Sequence, residues 1–551
     1  MKFELLNTDE NLSILDRLLK IRWISLEDKE KFLNPSWKNF WYDPFLLSDM
    51  DKAILRIQKA IKNNERIVVF WDYDVDGVTA TFVVFYFIYN FLWYKNISLR
   101  LPSRADGYGI RWFHLDELKE KWVSLVITVD NGITAIEETE YAKKLWIDVI
   151  ITDHHSPLDK IPEPFALVNP KTSPDYPYKD IAWVWVAFKL ITAIANRQNL
   201  SKSMKEKIMN YFLPVVAIGT VADCVPLLDE NRLLVQKGLE IINDKNKRPQ
   251  NIWNICNYLN LKNVDSYHIW FVIWPRLNAS GRMHNPDTAF HVLYQQKAKK
   301  QLEYLQKLED MNQNRRDTQS DILKEIEQNI DFSKNILIAA GEFHEWIIWI
   351  VSWRLTEKYN KPSIVLHIDK EKWQAVWSCR APIYFSIVKM LEATWWNELL
   401  DRFWWHAQAG WLTCKLDNLD KFKEAVYKYW ENILPEDLEK LIFVDTEITE
   451  KDLLWDDIND IWKLSPFGQQ NQQPTFLIKD IKITKIDLVW KKQNHLKIFA
   501  KKWELDLVLL KWSWLSLLDK IKDKETISVI VNYEKDDYNG WFYFKIKEVL
   551  D

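Results

Sequence analysis

Glycine is the residue this chain is short of. It numbers 11 in 551 residues, where ordinary usage of about 7% would give roughly 39. A chain this long needs tight turns and close backbone approaches, so another residue must stand where glycines are expected. Cysteine is scarce too. Cys224, Cys256, Cys379 and Cys414 show no CxxC spacing, which excludes a thiolate zinc site and a disulfide frame and reads as reduced core thiols in a cytosolic protein. Neither sign of charge dominates: the net charge is −4, so any nucleic-acid contact has to come from local patches rather than a chain-wide basic surface. Long apolar runs are absent as well. The longest, Phe82 to Tyr94, is too short for a bilayer and contains Asn90. The opening MKFELLNTDENL has no signal-peptide pattern, and the expectation is a cytoplasmic protein without membrane contact.

What the chain has in excess is tryptophan, 31 of them. Together the two counts reach 42, close to the glycine number expected. Many tryptophans also sit where glycine makes physical sense: Trp183 and Trp185 in IAWVWVAF, the pair Trp404–Trp405, and Trp346, Trp349 and Trp353 along one segment. The expectation is a source that reads UGA as glycine, its gene translated here with the standard code. The competing reading is a truly tryptophan-rich protein that stacks nucleic-acid bases on its indoles.

The chain is organised around IVVFWDYDVDGVTAT, from Ile67 to Thr81. Ile67 to Phe70 reads as a buried strand, and a helical apolar run follows from Val78 to about Leu92. Between them stand Asp72, Asp74 and Asp76, three acids that repel one another unless a cation sits among them. A hard divalent ion held by carboxylate oxygens answers that need. Further strands follow at Ile97–Leu101, Leu125–Val129 and Val149–Thr152, with helical stretches between, which predicts a parallel sheet. The third ends in Asp130-Asn131-Gly132 and the fourth in Asp153-His154-His155. Acids and histidines thus gather at the carboxyl ends of strands, where open α/β sheets bind ligands. Asp223, in AIGTVADCVPL, is a further acid among apolar residues that needs a partner. A mixed carboxylate–imidazole set suits Mn²⁺ or Mg²⁺, and two such ions would activate a water and stabilise a phosphoryl oxygen.

This set resembles the DHH phosphoesterase superfamily and, within it, the RecJ single-strand-specific exonucleases, over nearly the whole chain. The resemblance implies metal ligation by Asp72, Asp74, Asp76, Asp130, His154 and Asp223, with His155 joining Asp74, Asp76, Asp130, His154 and Asp223 in catalysis. Phe70 departs from the pattern, since relatives often carry histidine there. The segment WPRLNASGRM, read as GPRLNASGRM, resembles a further RecJ motif and supplies Arg276, Asn278 and Arg282 as DNA or phosphate contacts. Arg104 and Tyr108, in the loop PSRADGYGI, join them.

The implied fold is α/β: a helical lead-in (1–50), a parallel-sheet DHH catalytic domain (51–290), a long connector helix (291–330), a second α/β, DHH-associated substrate-binding domain (331–434) and an OB-type β-barrel (435–551). In the second domain the helix within GEFHEWIIWIVSWRLTEKYNKPSIVLH carries Arg354, AVWSCRAP places Ser378 and Arg380 near a turn read with glycine, and RFWWHAQAGW, read with glycine, resembles the family's phosphate-gripping loop and brings in His406. The last region alternates apolar and polar residues in five or six short runs, which predicts the barrel. The resemblance implies a 5′→3′ exonuclease on single-stranded DNA in repair and recombination, working beside a single-strand-binding protein and a helicase. Two alternatives stand beside it: a DHH phosphodiesterase for oligoribonucleotides or cyclic dinucleotides, and an inactive DNA-binding replication scaffold.

Overall fold

A computed structural model describes residues 2–71, 74–101, 109–282, 287–393, 400, 402–406, 408–431, 441–454, 457–489, 495–503, 505–511, 515–535 and 541–550. Two compact units emerge: Leu5–Leu308 with Val444–Asp551, and Met1–Glu4 with Glu309–Phe443.

The first unit is built on a parallel sheet. Its strands are β1 (Arg66–Trp71), β2 (Ile97–Arg100), β3 (Val123–Val129), β4 (Asp148–Thr152) and β5 (Ala166–Val168), in the order β2-β1-β3-β4-β5. All four pairings are parallel. The apolar run Ile67–Trp71 is buried throughout, as expected of a strand covered on both faces. Helix α1 (Val75–Tyr86) leaves the end of β1 and buries nearly every residue. It packs against α2 (Trp183–Arg197) and α3 (Lys202–Ala222), and α3 packs against α4 (Asp229–Asn243). The helical run expected to about Leu92 ends its α-turns at Tyr86 and continues as a π-turn, Phe87–Phe91. Helix α5 (Trp274–Arg282) also touches α1.

The same unit carries a closed barrel. Strands from Phe476–Val489, His495–Lys502, Leu505–Lys511, Thr526–Lys535 and Phe542–Leu550 pair in a ring: the first with the second and fourth, the second with the third, the third with the fifth, and the fifth with the fourth. The ring leaves no free edge. The lead-in is not a separate layer. Ile14, Leu15, Leu18 and Leu19 form one helical face that shares a core with Phe476, Ile498 and Val529 of the barrel. Arg17 seals this contact, donating to Thr446 Oγ1, the Glu447 carbonyl and both oxygens of Asp452.

The second unit holds a five-stranded sheet of β6 (Leu337–Gly341), β7 (Ser363–Asp369), β8 (Gln374–Arg380), β9 (Arg402–His406) and β10 (Ala409–Lys415), ordered β9-β10-β8-β7-β6. Only β6 and β7 run parallel. Helix Ile348–Tyr359 covers the β7–β8 face. A 32-residue helix, Ala298–Asn329, leads into this unit; at 1.5 Å per residue it is about 48 Å long. Its leucine stripe is packing: Leu305 and Leu308 are buried, and Ile322 and Ile326 enter the core of the second unit. Among the described residues, no helix is long and apolar enough to cross a membrane. Three of the four cysteines are buried thiols, but Cys224 is exposed, because it follows the C-terminal end of α3 rather than sitting inside it.

Candidate metal centre

Strand register builds the site. Trp71 pairs with Val129, and Val129 with Thr152, so β1, β3 and β4 end level with one another. The residues that follow each strand therefore emerge side by side. Asp74 caps α1, its Oδ1 accepting from the Gly77 N–H at 2.7 Å. Asp130 takes a left-handed conformation (φ 60°), and the chain turns away through Gly132 at φ 117°. A Cβ on Gly132 would meet Thr128 Oγ1 at 3.0 Å, so the position requires glycine.

Asp76 is almost wholly buried. Its Oδ2 accepts from the Trp183 N–H at 3.0 Å and its Oδ1 from the Val184 N–H at 3.2 Å, placing the carboxylate on the N-terminus of α2. Asp223 closes α3 as its C-cap. Burial, then repulsion from neighbouring acids, pushes both carboxyls well above the usual range: Asp76 faces Asp223 and Asp74, and Asp223 faces Asp74. The buried Oδ2 of Asp223 accepts no hydrogen bond among the described residues and lies 3.6 Å from His154 Nδ1. Carboxylates gathered this way are offset either by bound protons or by a cation.

His154 stands at the centre. Its Nδ1 lies 3.0 Å from the Ile181 carbonyl, and its Nε2 is 3.7 Å from Asp130 Oδ1. Burial, then the charge of His155, lowers its pKa to about 4, so the ring is neutral near pH 7, the form a metal takes. Donation from Nδ1 to Ile181 leaves Nε2 as the free ligand atom. Two triads share this histidine: Asp76, His154 and Asp223 each offer an atom within 4.8 Å of the others, and so do Asp130, His154 and His155. Oxygen donors plus a neutral imidazole fit Mn²⁺ or Mg²⁺.

One residue beneath the site escaped the sequence reading of roles. Asp153 is fully buried. Its Oδ1 accepts from the N–H groups of His154 (2.7 Å) and His155 (3.0 Å) and from His155 Nδ1 (2.8 Å), and its Oδ2 accepts from the Ile133 N–H at 3.0 Å. Burial alone would raise its pKa, but the His155 bond and charge outweigh it and the net shift is downward. His155 shifts upward in return, the Asp153 bond overcoming its own burial. Asp153 ties both histidines to the turn after Asp130. Its position as the first acid of the DHH triplet was the available signal.

The remaining candidates fall on other elements or outside the described residues. Asp72, Arg104 and Tyr108 lie outside the described residues, as do the side chains of Arg282 and His406. Arg276 and Asn278 are half-buried on α5, and Arg276 Nη1 donates to the Val272 carbonyl at 2.7 Å. In the second unit Arg354 is exposed, 3.9 Å from Glu357, and Arg380 is half-buried with Nη1 on the Cys379 carbonyl. Ser378 is buried, its hydroxyl 3.2 Å from that of Ser352. Strand alternation points it at helix Ile348–Tyr359, where it joins a core hydroxyl pair.

Residues 66–220 match the model of the DHH family N-terminal domain, and residues 444–547 that of the RecJ OB domain. Among relatives, the chain is 30% identical over 530 residues to the single-stranded-DNA-specific exonuclease RecJ of Bacillus subtilis, covering 95% of this chain and 66% of that protein. It is 28% identical over 522 residues to the Haemophilus influenzae protein of the same name, covering 90% and 88%. Of solved structures, RecJ of Thermus thermophilus in complex with Mn²⁺ superposes with a TM-score of 0.81 at 21% identity, over 100% of this chain and 79% of that one. Exonuclease RecJ bound to manganese gives 0.59 at 25% identity, over 70% and 96%.

Proposed function

This chain belongs to the RecJ family of DHH phosphoesterases, and from that membership we propose that it hydrolyses the phosphodiester bonds of single-stranded DNA, releasing nucleotides 5′→3′ in DNA repair and recombination. The observation that carries the reading is the convergence of Asp76, Asp130 and Asp223 on the neutral ring of His154. Held by these residues and Asp74, two Mn²⁺ or Mg²⁺ ions would acidify a water and offset charge on the scissile phosphoryl group.

The chain's own groups prepare that chemistry. The α2 amides hold Asp76 in one orientation, and the Ile181 carbonyl fixes the tautomer of His154. His155 keeps Nδ1 on Asp153, and its ring is about half exposed (48%). In this reading residues 331–434, with Arg354, Arg380 and His406, grip the strand end, and the barrel holds the strand as it feeds in. Support for the barrel's part comes from Lys485 and Lys497, whose ammonium groups lie 5.7 and 4.9 Å from the ring centre of half-buried Phe499. Such a pairing of charge with an aromatic face is what single-strand barrels use. A helicase and a single-strand-binding protein would supply the substrate, in the cytoplasm.

The RecJ OB domain match at 444–547 weighs against an oligoribonucleotide or cyclic-dinucleotide phosphodiesterase. The intact ligand set weighs against an inactive scaffold. Digestion of one single strand labelled at either end tests the direction. Early release of 5′ label supports the proposal; early release of 3′ label contradicts it.

A further inference from the structure

The turn before α2 touches two of the metal-set residues at once. Its Ile181 carbonyl engages His154 Nδ1 at 3.0 Å, and the N–H groups of Trp183 and Val184 hold Asp76. The turn is also held by the side chain of Asn231, which is fully buried on α4. Asn231 Oδ1 accepts from the Ala182 N–H at 3.2 Å, and its Nδ2 donates to the carbonyls of Asp180 (2.7 Å) and Pro226 (3.0 Å). Pro226 lies three residues beyond Asp223, so one amide joins the segments carrying Asp223 and the supports of Asp76 and His154. Its neighbours keep it still. Glu230 binds the Tyr42 N–H, Trp185 Nε1 and Lys189, and Arg232 donates to the carbonyls of Phe32, Leu464 and Ser465.

We propose that Asn231 is a positioning residue for the metal centre: it sets the turn 180–182, which orients His154 and Asp76. This rests on the metal reading above. The test is calorimetric titration of the full chain with Mn²⁺ alone, beside Asn231→Ala and Ala182→Pro. The latter removes the N–H that Asn231 accepts, at a φ of −62° that proline itself favours. The expected result is Mn²⁺ affinity weakened by about 10- to 100-fold, the range for outer partners of a ligand, with turnover restored by excess Mn²⁺ and KM for DNA unchanged. Wild-type Mn²⁺ affinity in either folded variant overturns the proposal. No Mn²⁺ binding by the unmutated chain would instead overturn the metal reading.

A second inference comes from the backbone. Trp23, Trp93, Trp122, Trp146, Trp373 and Trp503 all have φ between 48° and 60°, a left-handed conformation that side chains with a Cβ avoid. Trp23 and Trp146 close helices in the six-to-one pattern: Trp23 N–H bonds Lys20 O and Ile24 N–H bonds Leu19 O, with Trp146 to Lys143 and Ile147 to Ala142 repeating it. Glycine is the usual residue there and asparagine the usual substitute. Asn64, Asn199 and Asn260 fill three equivalent positions in this chain. Trp23, Trp122 and Trp146 are 95, 86 and 85% exposed, so no packing of the indole repays the backbone. Separately, the buried indole N–H groups of Trp71 and Trp377, the latter in a motif read with glycine, find no acceptor among the described residues, although buried indoles usually have one. Trp183 and Trp185 do have acceptors, on Thr152 and Glu230.

We infer that positions 23, 93, 122, 146, 373 and 503 carry glycine in the protein as its own cell makes it. The test is the mass of the tryptic peptide Leu145–Lys160 from the native protein, with thermal melting of the chain as written against one with glycine at all six positions. A glycine-mass peptide and a higher melting temperature for the six-glycine chain are expected. A tryptophan-mass peptide, or a lower melting temperature, overturns the inference.

Discussion

The Trp183 N–H donates to Oδ2 of Asp76 at 3.0 Å, so a carboxylate from the first turn of α1 is seated on the N-terminus of α2. An Asp76→Asn variant keeps the size of the side chain but turns an amide against these two donors. Its turnover with Mn²⁺ should fall by more than about 100-fold, the upper end of what outer partners cost, and its Mn²⁺ binding should fall with it. Paired kinetics and calorimetry check both.

Metal affinity should rise with pH. In the metal-free protein burial and mutual repulsion raise Asp76 and Asp223, so the folded state holds protons that the unfolded chain has released. Their contribution to metal-free stability is therefore present at low pH and lost as pH rises through the raised values. A cation must displace those protons, and binding should release them. His154, at about 4, adds no competition near neutrality. Calorimetry of Mn²⁺ binding in two buffers of different ionisation heat reads the proton release directly.

Gly219 lies where α3 crosses α1. A Cβ there would stand 2.3 Å from Thr79 Oγ1 and 2.9 Å from Asp76 Oδ1, and both are buried. Gly219→Ala should cost about 1–3 kcal/mol by overpacking and, if Asp76 holds the metal as proposed, also weaken Mn²⁺ binding, because the displaced atom is an Asp76 carboxylate oxygen. Urea unfolding and Mn²⁺ titration on one preparation separate the two effects.

The Arg17–Asp452 pair joins the lead-in to the barrel with both side chains nearly solvent-free, at 2% and 3%. Asp452→Ala leaves a buried guanidinium without its counter-charge, and should destabilise the unit by about 3–5 kcal/mol. The expected readout is an earlier urea transition, while Mn²⁺ binding by the folded protein stays unchanged.

The parallel sheet and the barrel strands were legible because each is a local pattern: apolar runs that stop at an acid, and period-two alternation from Phe476 onward. The convergence of Asp76, Asp130, His154 and Asp223 was legible for a related reason, since acids at successive strand ends must meet at one edge. Contacts set by distant pairing were not. Nothing local links Arg17 to Asp452, or Asn231 to the turn at Ala182. Ser378 was placed by its motif, whereas the face of β8 it occupies depends on the helix packed above it.

The most direct test is to incubate the chain with Mn²⁺ and 5′-labelled single-stranded DNA, beside a duplex of the same sequence and an Asp76→Ala variant. Labelled nucleotides released from the single strand alone, and not by the variant, are the predicted result. A single strand left intact, or a duplex cut equally well, would contradict the account.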